Sequence, residues 1–423
     1  MMQRGRAVVV AIILAASLAG CVSYSQNMHR MQRLAMTGQP EQALHALEAA
    51  GLKHDEQLLY WLNKGLLLRQ NEDYAASIEA FEKAKVLLRR LEAISVTGAT
   101  GSVTISETVS DYTGQAYERI MLHVYQALNY LALNNREAAR VEALQIDLLL
   151  RRLYPQTQTL PHGGDVIGRY LAGLIFEANG EADQALVSYR YALQTYSAQG
   201  WAVPRDLQQR LLRLSRTLGL DAEYSQLQQR FSLPQTALKL GGNTGQAVVI
   251  LSAGLVPHRI GVSSVSQDLT TGRFYRISLP KLIPYPRTLQ RAWLSTQQQQ
   301  VTVEPVMALN PIAQQTLADQ IPAMTLRAIA RMVVKEAAAD AVAREHGAGA
   351  ASLVNFLGVI AEQADTRQWG LLPAHVYLAA LHLPAGEHDI TLTIKTAHGL
   401  VNKEFKNVIV TANDITFLSQ RIY

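Results

Sequence analysis

The 423-residue chain has a single cysteine, Cys21. One thiol rules out an intramolecular disulfide framework and any zinc site built on paired cysteines. No HExxH helix, glycine-rich phosphate loop with its lysine, or Gly-x-Ser-x-Gly elbow is present. The histidines are scattered without metal-ligand spacing, so no metal or cofactor is expected. The formal net charge is +5, yet no dense Lys/Arg run occurs, which argues against nucleic acid as a partner. No apolar run reaches the roughly 20 residues of a membrane-spanning helix. The nearest internal one, Ala348 to Ala361, is too short. Charged residues make up only 17% against 48% hydrophobic, which is ample for packed cores and two or three domains. Few aromatics beside many Ala, Leu and Gln residues favour helices.

What is present begins at the amino terminus. Arg4 and Arg6 precede an apolar stretch, Val8 to Leu18, of signal-peptide length. It ends in Leu18-Ala19-Gly20-Cys21. This arrangement resembles the lipobox of bacterial lipoproteins. The resemblance implies removal of residues 1–20 and acylation of Cys21, with anchoring strengthened by about 0.8 kcal/mol per buried methylene. Val22 and Ser23 follow, where an aspartate would resemble an inner-membrane retention signal. The expected location is therefore the outer membrane, lipid-anchored, on its periplasmic face.

From Asp55 onward the chain alternates helix-sized amphipathic segments with short polar breaks, and residues 21–239 are read as one helical-repeat domain. Leu58, Trp61, Leu62, Gly65 and Leu68 form one stripe. After Gln70-Asn71-Glu72-Asp73, a second stripe follows at Ala76, Ala80, Phe81, Ala84 and Leu88. Tyr170, Gly173 and Phe176, then Ala185, Tyr189 and Ala192 beyond the turn Asn179-Gly180-Glu181, repeat the pattern. Small residues let paired helices approach, and a large aromatic fills the notch. The pattern resembles tetratricopeptide (TPR) repeats. Weaker pairs are Tyr117 to Leu133 with Ala138 to Leu153, and Pro204 to Leu218 with Asp221 to Phe231. Pro40 to Ala50 reads as an incomplete helix before the first repeat. The stretches Ile94 to Gln115 and Tyr154 to Asp165 interrupt the array as loops. A solenoid of this kind offers a concave surface for a protein partner.

After Phe231 the period changes. Leu240 to Gly245 reads as a linker, and Ala247 to Leu251 as a buried strand. His258 to Val265 and Arg273 to Leu279 alternate, with prolines at 280, 284 and 286 ending the second. Val301 to Val306 is another strand. Helix returns from Ile312 to about His346, and again from Ala350 to Asp365. Their apolar faces, including Ile321, Met324, Ile329, Met332 and Val333, are expected to pack in the core, with membrane docking the other use. Arg327, Arg331 and Lys335 share the opposite face. Val376 to Leu383, His388 to Ile394 and Phe405 to Thr411 read as a three-strand antiparallel meander. The fold class expected is α+β: an N-terminal TPR-like helical solenoid, then a mixed α/β domain over 246–423 with an antiparallel sheet.

The segment Ala364-Asp365-Thr366-Arg367-Gln368-Trp369, with Leu371-Leu372-Pro373, is distinctive, as are Tyr117-Glu118-Arg119 and Ala139-Arg140-Val141-Glu142-Ala143. With the lipobox they resemble a family of proteobacterial lipoproteins with tetratricopeptide-like repeats. The resemblance covers most of the mature chain and implies an envelope role near cell-wall assembly, with no catalytic activity. Arg119, Arg140 and Tyr170 are the candidate partner-binding residues. Asp365, Arg367 and Trp369 are read as a structural clamp, and Asp165 as a helix cap. The expected function is a non-enzymatic scaffold or adaptor for a periplasmic or outer-membrane protein. Two alternatives stand beside it: an enzyme acting on cell-wall material through Glu362 and Asp365, and a structural part of a secretion or motility complex.

Overall fold

The computed structural model describes residues 24–50, 56–97, 111–233, 242–270, 272–287, 289–397 and 399–423. Cys21, the apolar stretch before it and residues 98–110 of the first loop lie outside the described residues.

Among the described residues, ten α-helices form the first half: α1 (Tyr24–Met36), α2 (Pro40–Ala49), α3 (Gln57–Gln70), α4 (Tyr74–Thr97), α5 (Ala116–Ala132), α6 (Arg136–Leu153), α7 (Val166–Ala178), α8 (Ala182–Gln199), α9 (Arg205–Thr217) and α10 (Asp221–Phe231). They pack as successive antiparallel pairs. The expected notches are real. A Cβ on Gly65 would stand 2.5 Å from the Phe81 ring, and one on Gly173 would collide with Tyr189. Helix α1 was not foreseen. It pairs with α2 and adds Met28, Met31 and Ala35 to the core. Asp165 does not cap α7. Its carboxylate instead accepts the Leu160 N–H at 3.0 Å and closes the preceding loop.

The second half contains β1 (Thr244–Ala253), β2 (His258–Gln267), β3 (Phe274–Ile283), β4 (Leu289–Ser295), β5 (Gln300–Thr302), β6 (Glu304–Ala308), α11 (Leu309–His346), α12 (Ala348–Ala361), β7 (His375–Pro384), β8 (Gly386–Thr396), β9 (Gly399–Val410) and β10 (Ile415–Ile422). One sheet has the order β10-β1-β7-β6, a second β5-β4-β8-β9, and β2-β3 is a separate ribbon. The first sheet is the middle layer of three. Val248 and Ile250 join a core shared with the repeat helices, while Ala247, Val249 and Leu251 face the second sheet. Burial on both faces explains the unbroken apolar run of β1.

Three expectations need correction. Thr244 and Gly245 are the first residues of β1 and not linker. Pro280 does not end β3, which runs to Ile283 paired with β2 alone, so an unpaired side is available for a residue lacking N–H. The three-strand meander does not exist. Strand β7 pairs with β1 and β6, whereas β8 pairs with β4 and β9. Pro384 to Gly386 carries the chain from one sheet to the other, because β7 needs apolar cover on both faces.

The largest departure is an arm formed by the β2-β3 ribbon, the distal half of α11 and α12. The first turns of α11 enter the core through Leu309, Ile312, Ala313 and Leu317. Beyond Pro322 the expected core face is turned outward. Met324 is buried, but Ile329 and Val333 are exposed, and Leu326 is 69% exposed. On α12, Leu353, Phe356, Leu357 and Ile360 also face outward. The inner side is lined by Ala328, Ala339 and Ala351 together with buried Arg331 and Glu362. Arg331 meets Glu362 at 2.8 Å, and Lys335 reaches the same carboxylate at 2.6 Å. The arm is inside out in the sense that it buries the Arg331–Glu362 ion pair and leaves large apolar groups outward.

Candidate functional site

The clamp residues lie on the seam between repeats and sheet. Trp369 has 0% exposure and packs against the rings of Phe81 and Tyr125, with centroids at 6.0 and 6.1 Å. Its backbone N–H donates to Glu118 Oε1 at 2.9 Å. The other Glu118 oxygen accepts the Tyr112 hydroxyl and the Gln115 N–H. Asp365 and Arg367 form a two-point ion pair, both bonds 2.9 Å, in the segment following α12. The carboxylates of the enzyme alternative are not brought together. Glu362 serves Arg331 and Lys335, and lies beyond the last residue of α12, while Asp365 serves Arg367.

Arg119, Arg140 and Tyr170 are not assembled into one site either. Arg119 pairs with Glu92 at 2.8 Å. Arg140 grips Glu181 with Nε at 2.5 Å and Nη2 at 2.9 Å. Tyr170 is fully buried and donates to Asp206 at 2.5 Å. Asp206 also accepts from Arg210 at 2.6 Å. Arg210 in turn reaches Glu177 at 2.9 Å and Gln246 of β1 at 2.7 Å. These side chains serve helix-to-helix and helix-to-sheet contacts. Arg136 adds another such tie, clasping Asp414 at 2.6 and 2.7 Å.

The first sheet covers one face of the solenoid. Arg69 and Gln70 of α3 reach Ser419 and Tyr423 beside β10. Tyr125 of α5 meets Ser252 at 3.4 Å, Tyr196 of α8 donates to the Val306 carbonyl at 2.7 Å, and Arg210 of α9 reaches β1. The chain's own sheet therefore covers most of this face of the repeats.

A cleft opens on this seam where α1, α3 and α5 meet β10. Arg69 and Arg421 line it. Arg69 projects from α3 in line with Leu58, Leu62 and Gly65, four residues beyond the last, so the helix carries it into the buried interface. Burial lowers the guanidinium to about 10, with only Tyr74 and Tyr125 favouring its charge. The position of Arg69 on a buried stripe was a usable sequence signal. Arg421 carried none, because β10 was not foreseen. On that strand Ile415, Phe417, Ser419 and Arg421 alternate onto the helix-facing side, the first two joining the shared core.

No family model and no curated protein matches the chain. Solved structures show likeness to helical repeats over about half of it. A Podosopora anserina putative kinesin light chain with nearly identical TPR-like repeats is similar at TM-score 0.32 and 15% identity, over 48% of this chain and 90% of that one. A point variant of the same protein gives TM-score 0.31 and 14% identity over the same shares. MamA AMB-1 gives TM-score 0.30 and 13% identity, over 50% of this chain and 94% of that chain.

Proposed function

We propose that this protein is a lipoprotein held by acylated Cys21 on the periplasmic face of the outer membrane. There it acts as a non-enzymatic scaffold or adaptor for another envelope protein, in cell-envelope and peptidoglycan assembly. The observation that carries the reading is the inside-out arm. Leu326, Ile329, Val333 and Val334 of α11 and Leu353, Phe356, Leu357 and Ile360 of α12 all point outward. Each is between 40% and 69% exposed, and large apolar side chains of this kind form the buried centre of protein interfaces. Leu326, Ile329 and Val333 on α11, and Leu353, Leu357 and Ile360 on α12, follow steps of three and four residues, a spacing suited to helices packing knobs into holes. Helix α12 carries no charged residue. The occupant that fits is an apolar helical segment of a second protein. Acylation would hold the chain on the partner's membrane and raise its effective concentration.

The test places a photoreactive residue at Leu357 in cells. The reading expects a crosslink to one envelope protein, and the reciprocal crosslink when the probe sits on that protein. The double variant Leu353→Ser, Phe356→Ser should abolish both while keeping the melting temperature. Crosslinks only to lipid, or only to a second copy of this chain, would contradict it.

A further inference from the structure

The open cleft has a volume of about 280 Å³. Its charged lining is Arg69, Arg421 and Glu72. Glu72 belongs to the rim, with its side chain 72% exposed and its carboxylate 3.8 Å from Lys403. The arginines are set deeper. Arg69 is 9% exposed, and its guanidinium donates to the Asn129 side-chain oxygen and the Ser419 hydroxyl, both at 2.5 Å. Arg421 donates to the carbonyls of Gly254 and Leu371 at 2.8 and 3.0 Å. Its Nε is buried and has no acceptor. All of these acceptors are neutral. Two guanidiniums beside one cleft, without a carboxylate partner among the described residues, leave the positive charge uncompensated. Arg69, the more deeply buried of the two, carries that charge at a cost, and an anion entering the cleft beside it and part-buried Arg421 relieves the cost through charge-assisted hydrogen bonds.

The remaining walls say what kind of anion. Leu66, Leu128 and the rings of Tyr74 and Tyr125 line the same space. A bare inorganic ion would leave those surfaces unused, whereas an acid with an apolar body covers them. We propose that the cleft binds the terminal carboxylate of a ligand whose adjoining body is apolar, namely the C-terminal residue of a partner polypeptide. The carboxylate sits at the two arginines, and the apolar side chain lies against the leucine and tyrosine wall. This deepens the partner-binding reading above, and rests on it for the source of the polypeptide.

Calorimetric titration of the purified mature protein tests the assignment. The probes are the tripeptide N-acetyl-Ala-Ala-Leu as free acid, the same peptide as C-terminal amide, N-acetyl-leucine and inorganic phosphate. The free acid should bind at least tenfold more tightly than the amide, than N-acetyl-leucine and than phosphate. Arg421→Gln and Arg69→Gln should each remove that preference. Because Arg69 also ties α3 to β10, the acid-to-amide ratio in the unsubstituted protein decides the question even if that variant fails to fold. Equal binding of acid and amide would overturn the proposal. So would phosphate binding as well as the peptide, or N-acetyl-leucine matching the tripeptide. Failure of the scaffold reading looks different: the arm probe finds no protein in cells, while the free acid still binds.

Discussion

Arg210 is where three elements converge, and its neighbours set how the fold responds to acid. Burial alone would raise Asp206 and Glu177, but the charge of Arg210 reverses this and holds both below the ordinary carboxylate range. Their stabilisation is complete above the unfolded value near 4 and is lost as pH falls through the lower folded values. Asp165 acts in the opposite sense. Burial raises it to about 6, so its contribution is present below about 4 and is lost as pH rises to about 6. The difference in urea midpoint between Asp165→Asn and the unsubstituted protein should therefore shift in favour of the variant as pH rises from 4 to 6, and Asp206→Asn should shrink the loss of stability below pH 4. Gly173→Ala would drive a methyl into the Tyr189 ring. It should cost about 1–3 kcal/mol in urea unfolding, despite the better helix propensity of alanine.

At the scale of elements, the arm makes a prediction of its own. Leu353→Ser with Phe356→Ser touches exposed positions on a helix whose inner side is already filled. Stability should change by no more than about 0.5 kcal/mol per site, as for ordinary surface changes. A calorimetric melt of the double variant checks this, and a large loss would mean that these side chains pack inward. The helices themselves were legible in the sequence, because the pairs Gly65 with Phe81 and Gly173 with Tyr189 are local signals of a tight helix pair. Strand β1 was legible for the same reason, as an unbroken apolar run. Sheet membership was not. β7 is apolar from Val376 to Leu381 whereas β8 alternates, a local sign of different layers, but nothing local tells which strands each one pairs with. The arm misled for a physical reason as well: an apolar stripe facing outward has the same period as one facing a core. Arg69 was readable from its stripe, while Arg421 depended on a strand placed by contacts more than a hundred residues away in the chain.

The molecule as a whole is tied across its halves. The core shared by repeat helices and first sheet includes Trp369, Phe81, Tyr125, Val248, Ile250 and Leu378. Such a continuous core predicts one cooperative transition, with helix and aromatic signals coinciding in urea. Trp369→Ala should cost about 3–5 kcal/mol, since it empties the seam and leaves the Tyr125 and Phe81 rings without their partner. The proposed tethering through Cys21 would give this molecule its place of work, and it is the claim on which the envelope role depends. Mass spectrometry of the N-terminal peptide from fractionated cells tests it most directly. The account predicts a chain that starts at Cys21, carries acyl groups and sediments with the outer membrane. An unmodified Cys21 in a chain recovered from the soluble fraction would contradict it.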